Sequence, residues 1–238
     1  MIRMAAALVL VAAPAAAESL RICTEVDYPP YMAADADGTL YGFEHDLGMA
    51  ICAGMAADCT WEVMTFDAIL PAVANGGCEM GLAAIAATPG RRALVDFSEP
   101  YDAGGPSAGV FITLDPNQRL RDARIGVQAG TVQQEHLGQR GRAVVTFESN
   151  DAALAALARH EIDLLFASPG VLQAAQERQY PGLRALAYEE IPGWGTAVAV
   201  ARGADGLRKR IDTAIQTLQE DGTIERLRAR WFAAGTTT

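Results

Sequence analysis

The residues best suited to chemistry lie in the segment AAIAATPGRRALVDFSEPY, residues 83–101. Thr88 is a residue type that caps helices and Pro89 suits a first helical position, so we expect a helical turn here. The free backbone N–H groups of such a turn, with Arg91 beside them, form a site for a carboxylate or another anion. The alternative is that Arg91 and Arg92 both lie in solvent, where most arginines are found.

The sequence contains no pattern that is typical of catalysis or metal binding. His45, His136 and His160 share no metal-ligand spacing with any cysteine. We find no nucleophile–base pair and no phosphate-binding loop, which makes hydrolase and kinase functions remote. We therefore expect a binding protein without a metal ion or cofactor.

Composition limits the class of protein and its partners. The chain has 238 residues, of which 50% are hydrophobic and 20% charged, as in a globular protein with one large domain or two lobes. Its 29 acidic and 19 basic residues give a net charge of -10, which argues against nucleic acid and anionic membrane as partners. We expect a monomer that binds a small molecule.

The first residues have the features of a secretory signal. Arg3 precedes an apolar run over residues 5–13, and the small residues of 15–17 precede Glu18. The run is too short to span a bilayer, so we predict a cleaved signal peptide over residues 1–17 and a periplasmic protein. Cys23 follows Leu-Arg-Ile and not the small residues of a lipoprotein cleavage site, so we predict no lipid anchor.

The mature chain begins with alternating strand and helix patterns. Strands are predicted near residues 20–24, 59–64 and 78–84, and helices from Phe43 and Phe66. In a β-α-β-α-β unit the right-handed crossovers bring the carboxyl ends of the strands to one sheet edge. We therefore expect the loop 25–31, Phe66 and the turn 88–91 to lie together.

A second α/β unit follows the break at residues 104–106, which predicts two lobes with a cleft between them. The first lobe would comprise residues 18–104 and the second residues 105–195. Residues 196–238 would form a return strand and two C-terminal helices that pack on the first lobe. The predicted class is α/β, with a mainly parallel sheet flanked by helices in each lobe.

Export makes disulfides plausible for the four cysteines. Cys52 lies near the end of a predicted helix and Cys59 opens a predicted strand, so a bridge between them would join the two elements. Cys23 and Cys78 both lie at strand-like positions, and we expect them to be free buried thiols rather than a second bridge.

Several segments together resemble the extracytoplasmic solute-binding proteins, family 3, that serve polar amino-acid ABC transporters, in particular the histidine and lysine/arginine/ornithine binders. The segments are LRICTEVDYPPY, LYGFEHDL, the Cys52/Cys59 pair, the long run from FDAIL to SEPY, IGVQAGTVQQ and DGTIERLRARWF. The resemblance implies a type II periplasmic-binding-protein fold, in which two lobes close on the ligand through two hinge crossings. It also implies an ABC permease in the inner membrane as partner.

The resemblance assigns a role to each residue of the predicted site. Arg91 would pair with the ligand carboxylate, and Tyr28 and Phe66 would sandwich the ligand. Gly130 and Thr131 match the turn of the second lobe that donates to the same carboxylate. Glu25 matches an acid that faces the ligand side chain in binders of basic amino acids.

The sequence departs from the family pattern at two places. A Ser or Thr that usually touches the ligand is Ala86 here, so only the backbone of Ala86 can contribute; Ala84 is also expected among the ligand-binding residues. The aspartate that accepts the ligand's α-ammonium is replaced by Ser168, and a buried ammonium without an anion is costly. Either Glu25 substitutes for the aspartate, or the ligand lacks an α-amino group, or Ser168 and a water suffice.

Two other functions remain open for this fold. Some relatives resemble periplasmic cyclohexadienyl dehydratases, for which Glu25, Glu44 or Glu148 would have to supply an acid in the cleft. The third hypothesis is a soluble sensor or a partner of a periplasmic oxidase that binds no solute. We favour binding of a small carboxylate-bearing solute, an amino acid or a derivative, without chemistry.

Overall fold

The computed structural model describes residues 18–103 and 107–232, which form two five-stranded sheets, a small two-stranded sheet and flanking helices. The predicted signal peptide and the break at 104–106 lie outside the described residues. In the part of the chain that is described, no helix combines the length and apolar character needed to cross a membrane.

The first sheet has the strand order β4-β1-β5-β12-β6. Its strands are β1 Glu18–Thr24, β4 Ala57–Val63, β5 Met80–Gly81, β6 Asp96–Phe97 and β12 Ala199–Val200. Strand β1 pairs in parallel with β4 and β5, so the chain leaves all three at the same edge of the sheet. Strand β12 returns antiparallel between β5 and β6. The shared edge is the one that the β-α-β-α-β pattern predicts.

The second sheet has the order β11-β7-β10-β8-β9. Its strands are β7 Ser107–Thr113, β8 Ile125–Gln128, β9 Val144–Phe147, β10 Leu164–Ala167 and β11 Arg184–Ile191. Strands β8, β9 and β10 are parallel, whereas β7 runs antiparallel to β10 and β11. The remaining strands, β2 Ala33–Ala34 and β3 Leu40–Tyr41, form the small sheet.

Eight helices connect these strands or cover the sheets within the described ranges. They are α1 Phe43–Gly54, α2 Phe66–Ala74, α3 Pro89–Arg92, α4 Val132–Gln139, α5 Asn150–Ala158, α6 Pro169–Arg178, α7 Asp205–Glu220 and α8 Thr223–Phe232. Helices α7 and α8 contact α1, and their apolar residues Ile211, Ile215 and Ile224 join the core of the first sheet. The C-terminal helices therefore pack on the first lobe.

Each sheet carries its own hydrophobic core. Leu20, Ile22, Phe43 and Leu47 are buried in a core on one face of the first sheet. Val110, Ile112 and Leu165 belong to a separate core of the second sheet. Separate cores are the expected basis for two lobes that can move relative to each other. The residue boundaries that we drew at 104/105 and 195/196 stay a prediction.

Two disulfides join elements of the first lobe. Cys52 of α1 is bonded to Cys59 of β4, as expected. Our prediction that Cys23 and Cys78 are free thiols is wrong, because these two residues form the second disulfide. Strand β1, which contains Cys23, pairs with β5, which begins just after Cys78, so the two Cα atoms lie 5.8 Å apart. That separation suits a bridge.

Candidate functional site

A cavity of about 240 Å³ lies between the two sheets. The first lobe lines it with residues that follow β1, begin α2 or follow β5, and the second lobe with residues at the ends of β8, β9 and β10. Its walls include nearly all residues of the predicted site: Glu25, Tyr28, Phe66, Ala84, Ala86, Arg91, Thr131 and Ser168. Gly130 contacts one of these residues instead of lining the cavity itself. The sheet edges thus bring the predicted residues together.

Arg91 lies inside the cleft, on the predicted helical turn. Thr88 caps α3, and its Oγ1 accepts a hydrogen bond from the backbone N–H of Arg91 at 3.3 Å. One Nη of the guanidinium donates to the Ala86 carbonyl at 2.9 Å, and the other donates to the Gly130 carbonyl of the opposite lobe at 2.8 Å. Arg92 instead lies on the exposed side, where its guanidinium packs over Phe97.

The half-buried Arg91 guanidinium is an uncompensated positive charge. Within the described residues, no carboxylate lies within ion-pair distance of it, although Glu135 acts from farther away. Removal from water lowers the pKa of Arg91 to about 10, so the side chain remains charged at neutral pH. A partly desolvated cation of this kind favours an anionic ligand.

Aromatic rings form much of the first-lobe wall. Phe66 opens α2, and its ring centroid lies 5.2 Å from Cζ of Arg91, a cation–π contact. Tyr28 stacks on Tyr31 with the ring centroids 4.9 Å apart. The cis peptide bond between Pro29 and Pro30 lies in the loop between the two tyrosines. The sandwich of a ligand between Tyr28 and Phe66 stays a prediction.

Glu25 is a buried acid that bonds to the opposite lobe. It is 7% exposed, and its Oε2 accepts a hydrogen bond from Nε2 of Gln128 at 2.6 Å. Burial raises the pKa of Glu25 to about 7, and the hydrogen bond from Gln128 opposes this shift. Nearby Asp27, Glu44 and Asp67 raise the pKa further. Near neutral pH the carboxyl therefore exchanges between its protonated and ionised forms.

Ser168 and Tyr28 form a contact between the lobes at the position where the resemblance to the family implies an aspartate. Ser168 occupies the N-cap position of α6, and the Tyr28 hydroxyl donates to its Oγ at 2.9 Å. Both residues line the cavity. At this position the structure therefore has two neutral, hydrogen-bonded hydroxyl groups, those of Ser168 and Tyr28, and no carboxylate.

Close approach of the lobes requires a glycine at position 130. Gly130 has a φ of +73°, and a Cβ added there would lie 2.9 Å from both Cα and Cβ of Asp67 at the start of α2. Thr131 then caps α4, and its hydroxyl donates to the Gln128 carbonyl at 2.8 Å. Backbone conformation and interlobe contact together favour glycine here.

Ala84 adopts a φ of +47°, which is uncommon for a residue other than glycine. Its N–H donates to Oε1 of the fully buried Glu44 at 2.7 Å, and the Tyr101 hydroxyl donates to the same oxygen. Glu44 thus holds the turn from its buried side and does not line the cavity. Glu148, the remaining candidate acid, is exposed.

Sequence reasoning missed several polar and aromatic residues in the cavity wall. Gln128 and Asn150 come from the second lobe, and Trp194 comes from the return segment between the lobes. Asp102 also lines the cavity, and its carboxylate accepts from Arg228 of α8 at 3.0 Å. Gln128 ends a strand and Asn150 begins the next helix, which is the signal that could have identified them.

The described residues contain no group of three or more His, Cys, Asp or Glu side chains arranged to hold a metal ion. Among the described residues, the polar groups that line the cavity are the Arg91 guanidinium, the acids Glu25 and Asp102, and neutral amide or hydroxyl groups. Such a wall can bind a small polar molecule that carries a carboxylate.

Comparison with known proteins agrees with this architecture. The putative ABC transporter arginine-binding protein 2 of Escherichia coli (strain K12) is 29% identical over 227 residues, covering 91% of this chain and 92% of that protein. The histidine-binding periplasmic protein of Salmonella typhimurium (strain LT2) is 26% identical over 228 residues, with coverages of 90% and 88%.

Structural comparison gives a similar result. The structure of a periplasmic His/Glu/Gln/Arg/opine family-binding protein from Silicibacter pomeroyi, in complex with lysine, matches with a TM-score of 0.82 at 26% identity. The match covers 92% of this chain and 99% of that one. The model of the family described as bacterial extracellular solute-binding proteins, family 3, matches residues 20–234. The chain therefore belongs to that family, and it is a periplasmic protein with the two-lobed fold that the sequence predicts.

Proposed function

We propose that this protein is the substrate-binding component of an ABC transporter and captures a small carboxylate-bearing solute, an amino acid or a derivative, in the interlobe cavity. It would deliver the solute to a permease in the inner membrane, and it would act as a monomer. No chemical step on the solute is required.

The observation that carries this proposal is the environment of Arg91. Its guanidinium is half-buried between the lobes, lies over the Phe66 ring and has no carboxylate partner among the described side chains. Two of its N–H groups are used by backbone carbonyls, and the remaining ones are available to a ligand. A carboxylate would compensate the charge that the protein leaves unpaired.

The cavity also favours an amino acid over a simple acid. It is small, at about 240 Å³, and the buried acid Glu25 lines it together with Arg91. A ligand with a carboxylate and a cationic group would match both signs of charge. The relatives are named for arginine and histidine, and the structural neighbour holds lysine, which supports extending amino-acid binding to this chain.

We assign the remaining residues by their positions in the wall. Tyr28 and Phe66 would contact the ligand's apolar part, and Ala84 and Ala86 would offer backbone groups. Gly130 and Thr131 would complete the carboxylate site from the second lobe, with Ser168 near the ligand's α-carbon. Glu25 would accept a donor group of the ligand.

The dehydratase alternative has one observation in its favour. Glu25 lines the cavity and has a pKa raised to about 7 by burial, which suits a general acid. Incubation with prephenate and with arogenate tests this alternative directly. Product formation that disappears in Glu25→Gln would support an enzymatic function in place of binding alone. Absence of turnover with both substrates would support the binding function.

Calorimetry over a panel of amino acids, modified amino acids and simple carboxylates tests the proposal. We expect at least one ligand with a Kd well below about 1 mM, and a loss of roughly a hundredfold in Arg91→Ala, because a charge-assisted double hydrogen bond is removed. Arg92→Ala is the matched control: its guanidinium packs over Phe97 outside the cavity, so its Kd should equal that of the wild type.

The same measurement identifies failure of the proposal. If no member of the panel binds more tightly than about 1 mM, or Arg91→Ala binds as tightly as Arg92→Ala, the carboxylate site is wrongly assigned. Capture of a periplasmic protein without any ligand-induced rise in melting temperature would favour the interaction hypothesis instead.

A further inference from the structure

The peptide unit between Ala83 and Ala84 is held by a side chain that lies outside the cavity. The Ala84 N–H donates to Oε1 of Glu44 at 2.7 Å, and the Tyr101 hydroxyl donates to the same oxygen. Glu44 is 0% exposed and does not line the cavity, whereas Ala83 and Ala84 both do. Glu44 therefore holds this N–H on the side of the turn that faces away from the cavity.

The planar trans peptide then fixes the direction of the Ala83 carbonyl. In such a unit the C=O and N–H groups point in nearly opposite directions. Because the Ala84 N–H points toward Glu44, the Ala83 carbonyl points away from Glu44 and toward the cavity. Ala84 has a φ of +47°, a conformation that costs free energy in a residue with a Cβ, so the bond to Glu44 is needed to hold it.

The Ala83 carbonyl has no hydrogen-bond donor within the part of the chain that the structure describes. Ala83 is 3% exposed, and backbone carbonyls at such burial are nearly always paired. Two later carbonyls of the same turn follow this rule. That of Ile85 accepts from the Ala197 N–H, and that of Ala86 accepts from Arg91. The unpaired carbonyl therefore points to a donor that enters the cavity.

The α-ammonium of an amino acid is the ligand group placed to be that donor. In the proposed function the ligand carboxylate binds Arg91, whose guanidinium also bonds to the Ala86 carbonyl of the same turn. The α-nitrogen is attached to the carbon next to the carboxylate, so it lies close to this turn, and it brings three N–H donors. Ser168 offers no charge, and its Oγ already accepts from Tyr28. A backbone carbonyl therefore offsets part of the cost of burying the ammonium.

We propose that Glu44 is a positioning residue for ligand binding: it orients the peptide between Ala83 and Ala84 so that the Ala83 carbonyl accepts from the ligand's α-ammonium. The inference rests on the proposed function, in which the ligand is an amino acid whose carboxylate binds Arg91. It adds the group that receives the ammonium, and it gives helix α1 a part in recognition without contact with the ligand.

Calorimetry with matched ligands tests this role, each pair being an amino acid and the same acid without its α-amino group. The pairs are L-histidine and imidazolepropionate, L-phenylalanine and phenylpropionate, and L-glutamate and glutarate. Glu44→Leu removes the acceptor of the Ala84 N–H and leaves the peptide free to rotate. The preference for the amino acid over its partner should fall about tenfold, the equivalent of one hydrogen bond to a charged group. Glu44→Gln keeps an oxygen for this N–H, so its preference should stay close to that of the wild type.

Ile51→Ala is the control for a general loss of stability. Ile51 is buried on the same helix, α1, and belongs to the core of the first lobe. Its melting temperature should fall while its preference for the amino acid equals that of the wild type. If Glu44→Leu does not fold, the crystal structure of the wild type with the tightest-binding amino acid decides. We expect the ligand's α-nitrogen within hydrogen-bond distance of the Ala83 carbonyl oxygen.

The outcomes separate this inference from the proposed function. If Glu44→Leu retains the same preference as Ile51→Ala, or the α-nitrogen lies away from Ala83 in the complex, the role of Glu44 is wrong. The proposed function still stands in that case if the ligand carboxylate lies on Arg91. If no compound binds the wild type more tightly than about 1 mM, the proposed function and the inference fail together.

Discussion

At the scale of single residues, the candidate site has two notable features, the positive charge of Arg91 and the neutral side chain of Ser168. Arg91 supplies a cation without a carboxylate partner among the described residues. Ser168, the N-cap residue of α6, lies where the resemblance to the family implies an acid. Ser168 accepts from the Tyr28 hydroxyl, so the neutral pair is internally satisfied. We therefore expect this cavity to stabilise an α-ammonium near position 168 less than a site with an aspartate would.

Ser168→Asp should make the cavity favour ligands that carry an α-ammonium over the same molecules without it. Position 168 is the N-cap of α6, where aspartate is well accommodated, and the Tyr28 hydroxyl can still donate to it. We expect the ratio of affinities for an amino acid and for the same molecule without its α-amino group to rise about tenfold or more. Calorimetry with both ligands measures this ratio.

Ser168→Asn is the control for that substitution, because it has nearly the same shape without the charge. Its ratio should remain close to that of the wild type. Equal ratios in the Asp and Asn variants would mean that the α-amino group does not lie near position 168.

At the scale of elements, the turn after β5 that lines the cavity depends on a buried acid of α1. Glu44 accepts from the Ala84 N–H and the Tyr101 hydroxyl, and it is 0% exposed. Burial raises the pKa of Glu44 to about 7, although both hydrogen bonds oppose the shift. Ionisation of this group is therefore costly in the folded protein.

The shift in the pKa of Glu44 has a definite consequence for stability. The folded pKa lies above the unfolded value of 4.5, so the folded state holds a proton that the unfolded state has lost. The contribution of protonated Glu44 to the unfolding free energy is fully present below the unfolded pKa of 4.5. It is lost as the pH rises to about 7. This single group corresponds to roughly 3 kcal/mol of unfolding free energy.

Urea unfolding at about pH 5 and about pH 8 tests this consequence. Glu44→Gln cannot ionise and retains an oxygen for Ala84 and Tyr101, so its unfolding free energy should fall less over this range than that of the wild type. Glu148→Gln alters an exposed acid and serves as the control. Parallel pH profiles for all three proteins would contradict a raised pKa at Glu44.

The elements also show what could be predicted from the sequence. Helices α1 and α2 begin where hydrophobic periodicity and start signals place them, because these signals are local. The bond between Cys23 and Cys78 was missed because it depends on β5 lying beside β1, which is a matter of strand order. Gln128 was missed for a related reason: its partner Glu25 comes from the opposite lobe, 103 residues away in sequence.

At the scale of the whole molecule, the side chains that we propose for ligand binding also make contacts between the lobes. Arg91, Glu25 and Tyr28 of the first lobe each hydrogen-bond to the second lobe, at Gly130, Gln128 and Ser168. A ligand in the cavity would share these groups with the lobe interface. Substitution of any one of them should therefore affect closure as well as direct contact.

For this reason, the structure of a complex is the most direct test of the central claim. The measurement is a crystal structure with the best-binding member of the calorimetry panel. We predict a carboxylate of that ligand within hydrogen-bond distance of the Arg91 guanidinium, inside the cavity between the two sheets. A ligand bound elsewhere, or one whose carboxylate points away from Arg91, would contradict the account.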